Sequence, residues 1–260
     1  MATFYSPATR PIKLKLVVVS CFLAVVFIAV AAEKAGVNFL ARAEKEMART
    51  QKLFLADTNN LTNAWQFAAA AFDVAEIATN ETHRATIAKL GIAASRAALA
   101  RDPKSAEAHY YLAMNFGELA AAEAPSIAAY KLVHQIEEQF KLAANLDEKF
   151  DHAGPVRNLG QLYFQAPGWP LSVGSKHKAR EWLERAVALA PDYPENQMLL
   201  AEAYIKWRQK ADAEKTLHKI EVIWAGTSTN FPGEAWEKYR ADWAASREKL
   251  RVNFQRTFND

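Results

Sequence analysis

The chain carries one cysteine in 260 residues, Cys21. It lies in an apolar run near the N-terminus, so the rest of the chain can hold no disulfide, no thiolate zinc site and no thiol nucleophile. Glycine is scarce, at nine residues, while alanine is abundant. That balance favours helix, because alanine has the best intrinsic helix propensity. Alternating apolar and polar segments bounded by turns, the mark of hairpins, are missing. A surplus of one charge is missing too, since 32 basic residues face 29 acidic ones. A near-neutral chain without a basic stripe argues against nucleic acid as a partner.

Signatures of chemistry are equally sparse. His83, His109, His134, His152, His177 and His218 include no pair at the four-residue spacing of a helical metal site and no HExxH. There is no GxxxxGK[ST], no GxGxxG behind a strand and no GxSxG. Glu137 and Glu138 are neighbours on a helix and point apart, while Glu118, Glu123 and Asp147 are scattered. The expectation is a protein that is not an enzyme, with no catalytic residue, no metal and no cofactor.

What is present starts with the N-terminus. Arg10, Lys13 and Lys15 precede the uncharged run LVVVSCFLAVVFIAVAA, residues 16–32. At about 1.5 Å per residue the run spans roughly 25 Å, just short of a bilayer core of about 30 Å. Two readings stay open: a signal peptide cleaved after Ala29-Val30-Ala31, or an uncleaved anchor with its N-terminus on the cytoplasmic side. Val18-Val19-Ser20 before Cys21 looks like a lipobox, but the longer apolar stretch follows the cysteine instead of preceding it. Either reading places residues from about 33 onward in the bacterial periplasm or on the extracytoplasmic face of the inner membrane. Residues 33–58, with mixed charges in AEKEMARTQKLF, read as a helical linker.

From residue 59 to 225 one helix-pair signature recurs. The first helix of a pair carries Leu, a small residue and an aromatic; the second carries small residues around a large one and ends at Pro or an acid. Ala179, Leu183 and Ala186 before Pro191 are such a second helix, and Leu200, Ala201 and Tyr204 with Ala213, Leu217 and Ile220 make a complete pair over 194–224. Upstream first helices read as Val156, Leu159, Gly160 and Tyr163; as Leu112, Ala113 and Phe116; and as Trp65, Ala69 and Phe72 behind the cap region Asp57–Asn60. Their second helices fall at about 83–101 and 132–146, with Ala98, Phe140 and Ala143. This is the pattern of a tetratricopeptide-like α-solenoid of about four irregular helix pairs, an all-α fold. The spacing within the early pairs exceeds that of a regular unit. ELAAAEA and HRATIAKL look helical and should lengthen their helices.

The third pair differs, because Pro167-Gly168-Trp169-Pro170 breaks any helix. That loop joins the two helices of one unit at an edge of the solenoid. Two readings stay open for Trp169: it folds back over its own helix pair, or with Pro167 and Pro170 it touches a partner. Residues 226–260 read as a loop followed by a long helix. Trp236, Trp243 and Leu250 recur every seven residues on it, an apolar stripe suited to capping the solenoid or to pairing with a second copy of the chain.

A solenoid of this kind binds with the concave face of its first helices. The register places Gln66, Ala70 and Asp73, then Tyr110, Met114 and Gly117, then Arg157, Gln161 and Phe164, then Met198, Glu202 and Ile205 along that face. Arg157 with Tyr110 could hold an acidic group, or Arg157 could pair with a neighbouring acid.

The stretch DHAGPVRNLGQLYFQAPGWPLSVGSKHKAREWLERAVALAPDYPENQMLLAEAY, residues 151–204, resembles the T component of tripartite ATP-independent periplasmic (TRAP) transporters. A looser likeness, around SAEAHYYLAMNFGELAAAEA, is to regulators of microtubule dynamics. The first resemblance implies a periplasmic adaptor that meets a solute-binding protein. The expected function is therefore a non-catalytic extracytoplasmic scaffold, accessory to a transporter or an envelope assembly. The alternative is a module that takes a small molecule or peptide in its concave groove.

Overall fold

The structure is a computed structural model that describes residues 38–258 apart from residue 125. The signal or anchor expected at 1–32 lies outside the described residues. Among the described residues no helix is long and apolar enough to cross a membrane. Helices account for almost everything: α1 (Phe39–Ala56), α2 (Leu61–Ile77), α3 (Glu81–Arg101), α4 (Ala106–Ala122), α5 (Ile127–Leu146), α6 (Phe150–Gln165), α7 (Lys176–Leu189), α8 (Pro194–Lys206), α9 (Lys210–Trp224), the short α10 (Thr227–Asn230), a single 3-10 turn at Glu234–Trp236, and α11 (Glu237–Phe258).

Local chemistry sets the starts and stops. Asn38, Asn60, Asn80, Ser105, Ser126 and Ser175 each turn a side-chain oxygen onto an otherwise unpaired amide of the first turn. α8 starts with Pro194, whose missing N–H costs nothing there. Asp102 and Asp147 stop α3 and α5, and each carboxylate accepts from the amide two residues on, that of Lys104 and of Lys149. These are the acidic stops that the sequence pattern uses.

The pairs α2/α3, α4/α5, α6/α7 and α8/α9 stack in order, and short turns make each helix antiparallel to the last. The small residues of the signature sit where helices meet: Ala98, Ala113, Ala143, Ala179, Ala186, Ala201 and Ala213 are all fully buried. Gly160 shows the constraint at its tightest. A Cβ there would meet the Leu183 side chain at 2.8 Å and its backbone nitrogen at 2.9 Å. Large residues fill between pairs, with Leu159, Tyr163, Leu183 and Ile220 among the most deeply buried. The extra residues of the early units do lengthen helices: α2 to α5 have 17, 21, 17 and 20 residues, against 13 and 15 in α8 and α9.

Three features differ from the expectation. In α2 the buried face is Phe67, Ala68, Ala71, Val74 and Ala75, not Trp65, Ala69 and Phe72. Trp65 instead stacks on Tyr111 with 6.1 Å between ring centroids. The alanines at 68–71 present the same small surface on every face, so apolar spacing alone does not set the register. Secondly, α1 does not behave as a linker. Leu40, Ala43 and Met47 pack against the main core, and the Phe54 ring lies 5.7 Å from that of Phe67. Thirdly, α11 does more than close the end of the solenoid: it is also tied by ion pairs to α1 and α2.

Candidate functional site

The concave face is organised around a left-handed turn. Asp151, His152 and Ala153 have φ of 49°, 54° and 66°, a conformation that side chains disfavour. Buried polar groups hold it. Arg157, one turn into α6 and 3% exposed, donates to the carbonyls of Asp151 at 3.3 Å and His152 at 3.4 Å, and to the Asn196 side chain at 3.3 Å. Its guanidinium pairs with the Asp151 carboxylate at 3.2 Å and with Glu195 at 3.6 Å, and lies 5.0 Å from the centre of the Tyr193 ring. Asn196 donates to the same His152 carbonyl at 3.1 Å. The left-handed turn at the head of α6 is thus tied to the start of α8.

Three expected groove residues meet here. Tyr110 donates its hydroxyl proton to Asp151 at 2.6 Å; Asn158 donates to the Tyr110 oxygen at 3.1 Å and to the Met114 sulfur at 3.4 Å. Of the two fates open to Arg157, the structure shows pairing with neighbouring acids. Burial works against its charge, but Glu195, Tyr193, Tyr110 and Asp151 outweigh that and keep it protonated. Burial also raises the Glu195 carboxyl, against the pull of Arg157.

Over this centre lies the C-terminal segment. Phe231 and Trp236 pack edge-on against His152, each at 5.7 Å. Tyr193 meets Phe231 at 5.7 Å and Trp243 at 5.3 Å. α11 then reaches across to the first units. Lys238 binds Glu76 of α2 at 2.8 Å and Asp242 at 2.9 Å, while Arg42 of α1 binds Glu237 at 2.7 Å. The two acids outweigh burial and keep Lys238 charged. Asp73 lies beneath this crossing. Burial first, then the nearby Glu76 charge, pushes its carboxyl up to about 7.

The remaining candidates fall apart from this cluster. Phe164 packs with Trp207 at the edge of the solenoid, 5.8 Å between centroids. Gln66, Gln161 and Glu202 are half-buried and make no hydrogen bond or ion pair with the described residues. Of the two readings open for Trp169, folding back over its own helices is overturned, because its side chain is 89% exposed. Pro167 is half-buried and Pro170 is exposed beside it. Sequence reasoning passed over Asp151, His152, Tyr193, Glu195, Asn196 and Lys238. The one signal was Asp151-His152-Ala153-Gly154-Pro155, a poor helix start that nonetheless precedes a signature helix.

A crystal structure described as TTC0263, a thermophilic TPR protein in Thermus thermophilus, superposes with a TM-score of 0.57 at 14% identity, over 92% of this chain and 100% of that one. The fold is a tetratricopeptide-like solenoid. The crystal structure of MamA protein is similar at a TM-score of 0.48 and 15% identity, over 82% of this chain and 97% of that one. No family model matches the chain, and no curated protein matches its sequence.

Proposed function

We propose that this protein is a non-catalytic scaffold that works outside the cytoplasm and binds another protein in its concave groove. The observation that carries the reading is the groove's present content. It seats the C-terminal segment: Trp236 packs on His152, and the helix that follows, α11, is held by Trp243 on Tyr193 and by Lys238 on the acid Glu76. A surface that recognises one helix by aromatic anchors and opposite charge is built for polypeptide. Gln66, Gln161 and Glu202, half-buried on first helices of their pairs, keep polar groups for a second chain to pair with. The basic residues before the apolar run 16–32 support export, and the likeness of 151–204 to the TRAP T component supports a solute-binding or envelope protein as the partner.

The test is a photo-crosslinking amino acid at Gln161 or Glu202 of the full chain, expressed in its own cell, with mass spectrometry of what is trapped. One dominant extracytoplasmic protein is the expected result. Crosslinks confined to residues 231–258 of the same chain would sink the groove reading. A reporter enzyme active only outside the cytoplasm, fused after Asp260, tests the compartment separately.

A further inference from the structure

One edge of the solenoid concentrates positive charge. No Asp or Glu occurs between Asp151 and Glu181, while Lys176, Lys178 and Arg180 do. The α8–α9 turn adds Lys206, Arg208 and Lys210. The fold brings the two stretches together. The Lys206 ammonium sits 4.9 Å from the centre of the Phe164 ring, that of Lys176 lies 5.4 Å from the Trp207 ring, and Arg180 donates to Gln209. Lys178 rides 5.0 Å over Tyr163. The ion pairs formed nearby, Lys141–Glu137 and Lys210–Glu214, leave Lys176, Lys178 and Lys206 without a carboxylate at pairing distance among the described residues.

From the same edge rises the α6–α7 loop. Its base is closed by hydrogen bonds: the Gly174 amide to the Pro167 carbonyl at 2.9 Å, Leu171 to Gly168 at 3.0 Å and Ser175 to Tyr163 at 2.9 Å. The packing is so close that a Cβ on Gly174 would come within 2.0 Å of the Ala166 carbonyl oxygen. The tip presents Trp169, 89% exposed, and Leu171, 65% exposed. An indole and an isobutyl group on a braced loop, above a field of lysines, suit the headgroup boundary of a bilayer, where tryptophan partitions and each cation gains from anionic lipid.

The direction of the chain points the same way. Successive helices alternate, so α1 begins on the edge where the α6–α7 loop stands. The apolar run that ends at residue 32 precedes α1 by a few residues. Only this alignment depends on taking that run as a membrane segment; the loop and its cations stand without it.

We propose that this edge docks on an anionic lipid surface. Trp169 and Leu171 enter the headgroup boundary, and Lys176, Lys178, Lys206 and Arg208 face the lipid phosphates.

The experiment uses the full chain with Cys21→Ser and Leu171→Cys, labelled with an environment-sensitive fluorophore and reconstituted into vesicles. One set contains phosphatidylglycerol and phosphatidylcholine, the other phosphatidylcholine alone, each with a membrane-embedded quencher lipid. A label at Lys104→Cys, on the opposite edge, reports the unbound background. The expected result is a blue-shifted, quenched label at 171 in anionic vesicles only. Lys176→Glu with Lys178→Glu should then weaken docking by roughly fivefold per lysine removed, and high salt should do the same. A label at 171 that stays as wet as the one at 104 in both vesicle sets overturns the proposal, and leaves the edge to an acidic protein. Because the readout is local to the loop, it is independent of whether the groove captures a partner.

Discussion

Asp73→Asn should stabilise the protein at pH 8 and leave it unchanged at pH 4. In the folded chain burial and the Glu76 charge lift the Asp73 carboxyl from its ordinary 3.8 to about 7. Between those values the folded state holds a proton that the unfolded chain has released, so stability falls as pH rises through the interval. At about 1.4 kcal/mol per pH unit the interval sets a ceiling of about 4 kcal/mol. Asp73 keeps part of its surface in contact with water, and we expect about half of that ceiling. Asparagine has nearly the same shape and never ionises, so it should escape the loss. The assay is urea denaturation of both proteins at pH 4, 5, 6, 7 and 8, read as the difference in midpoint. That difference should be near zero at pH 4 and grow steadily to pH 7. A difference that stays flat across the range would refute the reasoning, because it would mean that neither burial nor the Glu76 charge lifts the Asp73 carboxyl in the folded chain.

The other predictions concern the centre, the helix contacts and the C-terminal segment. Arg157→Met should cost about 1–3 kcal/mol, since it removes the buried cation that pairs with the half-buried Asp151 and Glu195 and leaves the turn carbonyls without their donor; a thermal melt should show it as a loss of about 2–4 °C per kcal/mol. Gly160→Ala drives a methyl group into Leu183, and a loss of about 1–3 kcal/mol in urea is expected. Ending the chain at Asn230 removes Trp243 and Leu250, only 3% and 4% exposed, from the face of α8. Hydrogen exchange of α8 and α9 amides should accelerate more than that of α3, because stability in a repeat array is passed between neighbours.

The repeat was legible wherever its residues differ in size. Leu200, Ala201 and Tyr204 place the helix contact without ambiguity, and Gly160 can only lie against a close neighbour. α2 was misread by a register because Ala68–Ala71 is the same on all faces. The loop at 167–170 was legible as a helix break, since two prolines allow nothing else, but its direction depends on the hydrogen bonds at its base. Arg157 and Tyr110 could be placed on the concave face. Their partners could not, because Asp151 sits in a left-handed turn and Glu195 and Asn196 come from another unit. Lys238 and Glu76 are separated by most of the chain, and no local pattern joins them.

The bonds from Arg42 to Glu237 and from Glu76 to Lys238 span 195 and 162 residues. A stack of helix pairs is ordinarily an open spring, free to lengthen and twist. Here the last helix is buckled to the first two, so the spring becomes a closed loop and stretching must break ionic clasps. Timing follows as well. Ribosomes deliver the N-terminus first, so α1 to α9 exist for a time before the buckle has been made. The groove is unobstructed during that interval.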